Sequence, residues 1–268
     1  MKTKDSPKST PTRTVSTSET NEMLLDRDAI RERLDRVQDP ELDRSIVELQ
    51  YVEHINIDDG AVTVTFVLPT AWCSPAFAWM MAAGIRDEVG ALSSVSSVTV
   101  RLSDHMHGDE ITTGINSEQS FEAVFEDADD GINSVRRKLD TKARFARQYS
   151  AIRTLLEAGL DTDQITTLLR GDIDLGYSSD LAAVSLRNGA VRVTAPREPL
   201  AEYLEKARET GLVTDVTDRL FADRKGDPLN PENVESVLRD SRLAASNIEG
   251  QATICASLHE TRNDIELD

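Results

Sequence analysis

Leu68-Pro69-Thr70-Ala71-Trp72-Cys73-Ser74-Pro75 is the stretch whose reading decides the fold. Just before it, Val62, Val64, Phe66 and Leu68 alternate with Thr63 and Thr65, the period of a strand with one buried face. Just after it, Ala76, Phe77, Trp79, Met80, Met81, Ala83 and Ile85 predict a helix from Pro75 to about Val89 that is apolar almost all round, hence largely buried. Ser74 suits the N-cap, and Pro75 suits the first helical position, where no N–H is needed. Cys73 therefore falls just ahead of a helix N-terminus. Free backbone N–H groups and the positive end of the helix dipole favour a thiolate there. The alternative is a small buried apolar side chain.

Upstream, Ile30, Leu34 and Val37 recur at helical spacing and predict a helix from about Met23 to Val37. It stops at Asp39-Pro40-Glu41, because proline disfavours helix in the residue before it. Ser45 to Leu49 reads as one short turn and Tyr51 to Ile57 as a strand, with Asp58-Asp59-Gly60 as a hairpin signal. Downstream, Gly90 can end the long helix, and Val98, Val100 and Leu102 predict a third strand. The fold class is α+β: a small compact unit of helix, β-hairpin, helix and strand, followed by a mostly helical part. The domain reading is a disordered tail at 1–22, poor in apolar residues, an α/β domain at 23–125, and a helical domain at 132–268. The charged run Glu126 to Gly131 marks the boundary.

In the second part, Val135 to Gly159 predicts a long amphipathic helix with Leu139, Ala143, Ala146, Ile152 and Leu156 toward the core. Asp163 to Leu169 is a shorter helix. Leu181 to Leu186 and Ala190 to Thr194 form a hairpin around Arg187-Asn188-Gly189. Pro199 to Thr210 and Pro231 to Ala245 are two further helices. Thr253 to Leu258, a short strand or helix, carries Cys255 and leads to His259.

The net charge of −18 over 268 residues argues against a nucleic-acid partner, since phosphates would be repelled. An acidic, lysine-poor surface matches a halophile-like solubility adaptation. No apolar run is long enough to span a bilayer, and no apolar signal-peptide core is present, so the expected setting is cytoplasmic, with no membrane partner. Two cysteines do not make a disulfide framework. The CxxC, HExxH, Walker A, Rossmann and GxSxG patterns are all missing, so the chain is not expected to be an enzyme.

Candidate site residues are therefore few. His105 and His107, two apart with Asp104 beside them, could ligate a metal or could be solvated loop residues. Cys255, between Ile254 and Ala256, reads as a buried structural residue, with completion of a Cys73 site as the alternative. Asp39 and Glu41 serve a turn, or stand as carboxylates near Cys73. Trp72 packs or shields the sulfur, and His54 lies on a strand.

The span from about Ile30 to Leu102 resembles the iron–sulfur cluster assembly domain family (SufT/PaaD-like, MIP-type). Asp39-Pro40-Glu41, Ile46-Val47-Glu48-Leu49, and Thr70 with Cys73 carry the likeness; here Ser74 stands between the cysteine and the proline. Leu68 to Cys73, Phe77 to Met81, Asp104-His105 and the tail with Gly250, Cys255 and His259 further resemble a longer variant encoded beside multicomponent alkane or propane monooxygenases. The resemblance implies a maturation factor that places iron–sulfur clusters or metal centres into client proteins. It makes Cys73 the key thiol, with a cluster or iron bound transiently. One cysteine cannot hold a cluster, which needs about four ligands. Cys73 from each chain of a homodimer, or Cys255, His105 or His107, could complete the set. Two alternatives are a protein-interaction adaptor that binds no metal, with Cys73 inert, and a thiol enzyme with a histidine base.

Overall fold

The structure, a computed structural model, describes residues 26–126, 131–187 and 189–265, with side chains up to 262. The expected disordered tail at 1–22 lies outside these residues, as do 127–130 of the expected boundary loop.

The chain begins with α1 (Arg27–Leu34), capped by the Asp26 side chain, which accepts the Asp28 N–H. A two-stranded ribbon, β1 (Gln38–Asp39) and β2 (Arg44–Ser45), follows. Next come β3 (Val52–Asp58), β4 (Ala61–Val67), α2 (Pro75–Gly90) and β5 (Ser97–Ser103). β3 and β4 pair antiparallel through a turn in which Asp59 (φ 46°) and Gly60 (φ 80°) are both left-handed. That turn type matches the twist of the strands it joins. β5 pairs parallel to β4, as the α2 crossover requires, and gives the order β3-β4-β5. Val62, Val64, Phe66 and Leu68 bury against Ala78, Met81, Ala82, Ile85 and Val89 of α2 in one core with Ile30 and Leu34. The alternation before Cys73 and the apolar helix after it are thus the two layers of this unit.

Short helices α3 (Gly108–Asn116) and α4 (Phe121–Val124) close the unit. Gly114 lies where an added Cβ would meet the Trp79 ring at 2.8 Å, so the helix crosses there without a side chain. The α5 helix (Ile132–Glu157) then runs out of the first core and into a second. Ile132, Val135 and Leu139 pack on the first; Phe145, Ala151, Ile152 and Leu155 belong to the second. A face that must serve two cores rotates along the helix, which is why Leu156, expected inside, is 40 % exposed while Arg144 and Gln148 are buried.

The second core is completed by α6 (Thr162–Thr167), a 3-10 turn at 170–172, β6 (Ile173–Asp174), β7 (Leu181–Leu186), β8 (Val191–Pro196) and α7 (Arg197–Glu209). β6, β7 and β8 form an antiparallel sheet. The last element is α8 (Val234–Ile265), 32 residues. The sequence reading ended a helix at Ala245 and set 253–258 apart as a separate piece. The chain instead stays helical through Asn247 and Gly250. A glycine costs about 1 kcal/mol inside a helix. Packing of the far turns of α8 against the first unit, described below, offsets it.

Ion pairs tie the two parts together. The Arg147 guanidinium of α5 donates to both carboxylate oxygens of Asp43, at 2.6 and 3.0 Å, and to the Glu202 carbonyl at 3.0 Å. Lys206 of α7 reaches Asp140 at 3.1 Å and Asp43 at 3.8 Å. Asp43, Arg147 and Lys206 are largely shielded from water, while Asp140 is about a third exposed, so removing Asp43 strands two buried cations. Asp43→Ala is expected to lower the stability of the full chain by about 3 kcal/mol, read from the urea midpoint. A change below about 1 kcal/mol would mean that the pairs are solvent-screened.

Candidate functional site

Cys73 stands directly before Ser74, the N-cap of α2, with Pro75 in the first turn. The loop that holds it is braced from within. The Thr70 hydroxyl accepts the Trp72 N–H at 3.3 Å and lies 3.5 Å from Cys73 Sγ. With its oxygen already accepting, that hydroxyl is placed to donate to the sulfur.

A second brace comes from the loop after β5. His105 Nδ1 accepts the His107 N–H at 3.1 Å, which leaves Nε2 as the donor in its 2.9 Å bond to the Cys73 carbonyl. The tautomer is assigned from these two bonds. Burial keeps His105 neutral by lowering its pKa. Both ring nitrogens are therefore engaged in positioning the cysteine loop. His107 points elsewhere: its Nδ1 is 3.4 Å from Glu110, and its ring stands edge-on to Phe125. Met106 N–H donates to the Ala71 carbonyl at 3.0 Å and completes the seam between the two loops.

Cys73 opens onto a cavity of about 250 Å³ lined by Asp39, Glu41, Tyr51, Thr70, Trp72, Cys73, Phe77 and Met81 of the first unit. Its other wall is α8, through Gln251, Ile254, Cys255 and Leu258. The two cysteines, 182 positions apart in sequence, thus share one cavity; both are half-buried and free. Burial, then the nearby Asp39, Cys73 and Glu41, push the Cys255 thiol up to about 11. Asp39 is itself buried, and desolvation raises its pKa. One Asp39 oxygen, Oδ1, accepts the N–H groups of Glu41 (2.8 Å) and Leu42 (3.0 Å). The turn reading of Asp39 and its placement beside the thiols hold together. Trp72, 76 % exposed, does not shield the sulfur; it stands at the mouth of the cavity.

Two side chains absent from the sequence reading of the site complete it. Tyr51 is 1 % exposed, lines the cavity, and its hydroxyl has no hydrogen-bond partner among the described residues. Arg262 fastens α8 down: one nitrogen donates to the Leu68 carbonyl at 2.6 Å and another to the Asp104 carboxylate. One turn earlier, the His259 ring packs edge-on to Tyr51 at 5.6 Å and faces the Gln50 carbonyl. The available signal was the spacing of Gln251, Ile254, Cys255, Leu258, His259 and Arg262, which is the 3-4 stripe of one helix face.

Among the described residues, no three His, Cys, Asp or Glu side chains come together as a preformed metal site. Among these described residues, too, no helix is long and apolar enough to cross a membrane.

Residues 27–101 match the model of the iron–sulfur cluster assembly protein family. This part of the chain is similar to iron–sulfur cluster assembly domains. It spans α1 through almost all of β5 and includes Cys73, Asp39 and Tyr51, while Cys255 and α8 lie outside it. The family supports a role in iron–sulfur cluster assembly. No curated protein and no solved structure matches the chain.

The grip of α8 on the assembly domain carries a pH signature. Burial lowers the His259 pKa, assisted by Arg262 and opposed by the Gln50 carbonyl and Glu53. A histidine depressed in the folded state contributes stability above its unfolded value of about 6.5 and loses it as pH falls below. The stability of the wild type relative to His259→Phe should therefore fall between pH 7.5 and pH 5.5, measured by urea denaturation. A constant difference across that range would place His259 in water.

Proposed function

We propose that this protein is a non-catalytic maturation factor that delivers iron or an iron–sulfur cluster to client proteins in the cytoplasm, with Cys73 as the sulfur that meets the cargo. The observation that supports this reading is the opening of Cys73, which packs at the margin of the first core within the family-matched segment, onto a walled cavity.

The donor set fits a carrier better than a storage site. Sulfur suits iron and its clusters. The chain offers two thiols to the cavity, and a cluster takes about four protein ligands. Cargo held this way keeps open positions, which a client's own ligands or a second copy of the chain can fill. A homodimer would present four thiols. Exposed Trp72 and Met106, with Ile254 and Leu258 at the cavity mouth, give a client an apolar contact beside the sulfur. Asp39 and Glu41 beside the thiols favour a cationic cargo over an anionic one.

Anaerobic reconstitution of the full chain with ferrous iron and sulfide should give a thiolate-to-iron absorption band. Cys73→Ser should remove most of it and abolish activation of a client. A wild-type protein that takes up no iron, together with a Cys73→Ala protein that still supports full client activity in cells, would contradict the carrier reading and leave an adaptor.

A further inference from the structure

Cys255 lies on a helix outside the assembly domain, yet α8 carries it back to the wall opposite Cys73. Cys73 is among the groups that raise the Cys255 pKa, and both cysteines are among those that raise that of Tyr51. The Tyr51 hydroxyl, buried and without a hydrogen-bond partner among the described residues, belongs to a side chain lining the same cavity. A buried hydroxyl without a partner leaves its desolvation uncompensated. A thiol at the cavity that becomes a thiolate on binding a cation is a stronger acceptor and would recover it. The carboxylates of Asp39 and Glu41 at the same cavity disfavour an anion there and favour a cation. Two sulfurs, a hydroxyl donor and a negative surround describe a small site for a soft cation.

We propose that Cys73 and Cys255 form a dithiol site, closed by α8, that holds a single thiophilic metal ion between the two sulfurs while the Tyr51 hydroxyl donates to one of them. It builds on the assembly reading, since it takes Cys73 as the cargo-facing sulfur, and adds that the second ligand comes from the C-terminal helix. Binding of a divalent ion converts two thiols into two metal–sulfur bonds and releases two protons. Two-coordination leaves the rest of the metal's shell free for exchange. Because Arg262 and His259 hold α8 in place, lifting its end would remove one of the two sulfurs and loosen the ion at the same time.

A trivalent arsenical tests the dithiol without a client or a cluster. Phenylarsine oxide condenses with two thiols, forming two arsenic–sulfur bonds and losing one water. The full-length wild type should take one arsenical per chain and lose both thiols to maleimide labelling, read by intact mass. Cys73→Ser and Cys255→Ser should each retain the arsenical at least about 100-fold less well against a competing monothiol, because the second bond is no longer intramolecular. In parallel, titration with Co²⁺ should give a sulfur-to-cobalt band in the wild type, with affinity about threefold to tenfold weaker in Tyr51→Phe.

Independent maleimide labelling of Cys73 and Cys255 in the arsenical-treated wild type would overturn the site. So would equal retention by the Cys255→Ser chain. An unchanged Co²⁺ affinity in Tyr51→Phe would remove the hydroxyl from it. Reconstitution of a cluster by a chain that fails to capture the arsenical would end this proposal and leave the assembly reading intact. Capture without any iron uptake would do the reverse.

Discussion

The contact on which the site depends is made by Arg262. One guanidinium spans the Leu68 carbonyl, at the end of β4, and the Asp104 carboxylate, at the end of β5. Both anchor points leave the sheet edge from which the Cys73 loop emerges. At 1.5 Å per residue, α8 is about 48 Å long, enough to start in the second core at Val234 and Val237 and finish over the first. Without its far turns, the cavity would have one wall and one thiol. The backbone shows that the grip is built in: Gln50 and Asp104, where the domain holds His259 and Arg262, are both left-handed, at φ 60° and 50°. Such conformations cost non-glycine residues free energy of order 1 kcal/mol or more and persist where the surroundings impose them.

A second constraint supports the first. For α8 to reach the assembly domain in one register, the two cores must be fixed relative to each other. The Asp43–Arg147–Lys206–Asp140 pairs do this, joining the β1–β2 turn to α5 and α7. Inside the second core, Arg144 donates to the Ala222 and Asp223 carbonyls, Tyr203 donates to the Leu220 carbonyl, and Gln148 donates to Ser241 of α8. A polar network of this kind sets the position of α8 where apolar packing alone would leave it free to slide. The site thus draws on distant parts of the chain, although its chemistry sits on two sulfurs.

The first unit was legible because its signals are local. A two-residue period running into an apolar helix leaves little choice, and Asp59-Gly60 names its own turn. Cys73 before Ser74-Pro75 was legible for the same reason, and the Asp-Pro-Glu and Thr-Ala-Trp-Cys segments pointed to the family whose model residues 27–101 match. What could not be read is long-range. Tyr51 looked like the start of a strand and Leu156 like a core residue, because each is decided by an element far off in sequence. Cys255 read as structural on its apolar neighbours, yet Ile254 is more than half exposed, and the helix turns the thiol toward the cavity. The helix expected to end at Ala245 instead continues through Asn247 and Gly250 to Ile265.

Hydrogen–deuterium exchange over residues 250–262 in the intact, metal-free chain tests most directly whether the C-terminal helix is a wall of the cysteine cavity. The account predicts amides there protected to a degree comparable with α2, and lost selectively in Arg262→Ala. Exchange within seconds in the wild type, as for a free helix end, would contradict it and leave Cys73 alone at an open cleft.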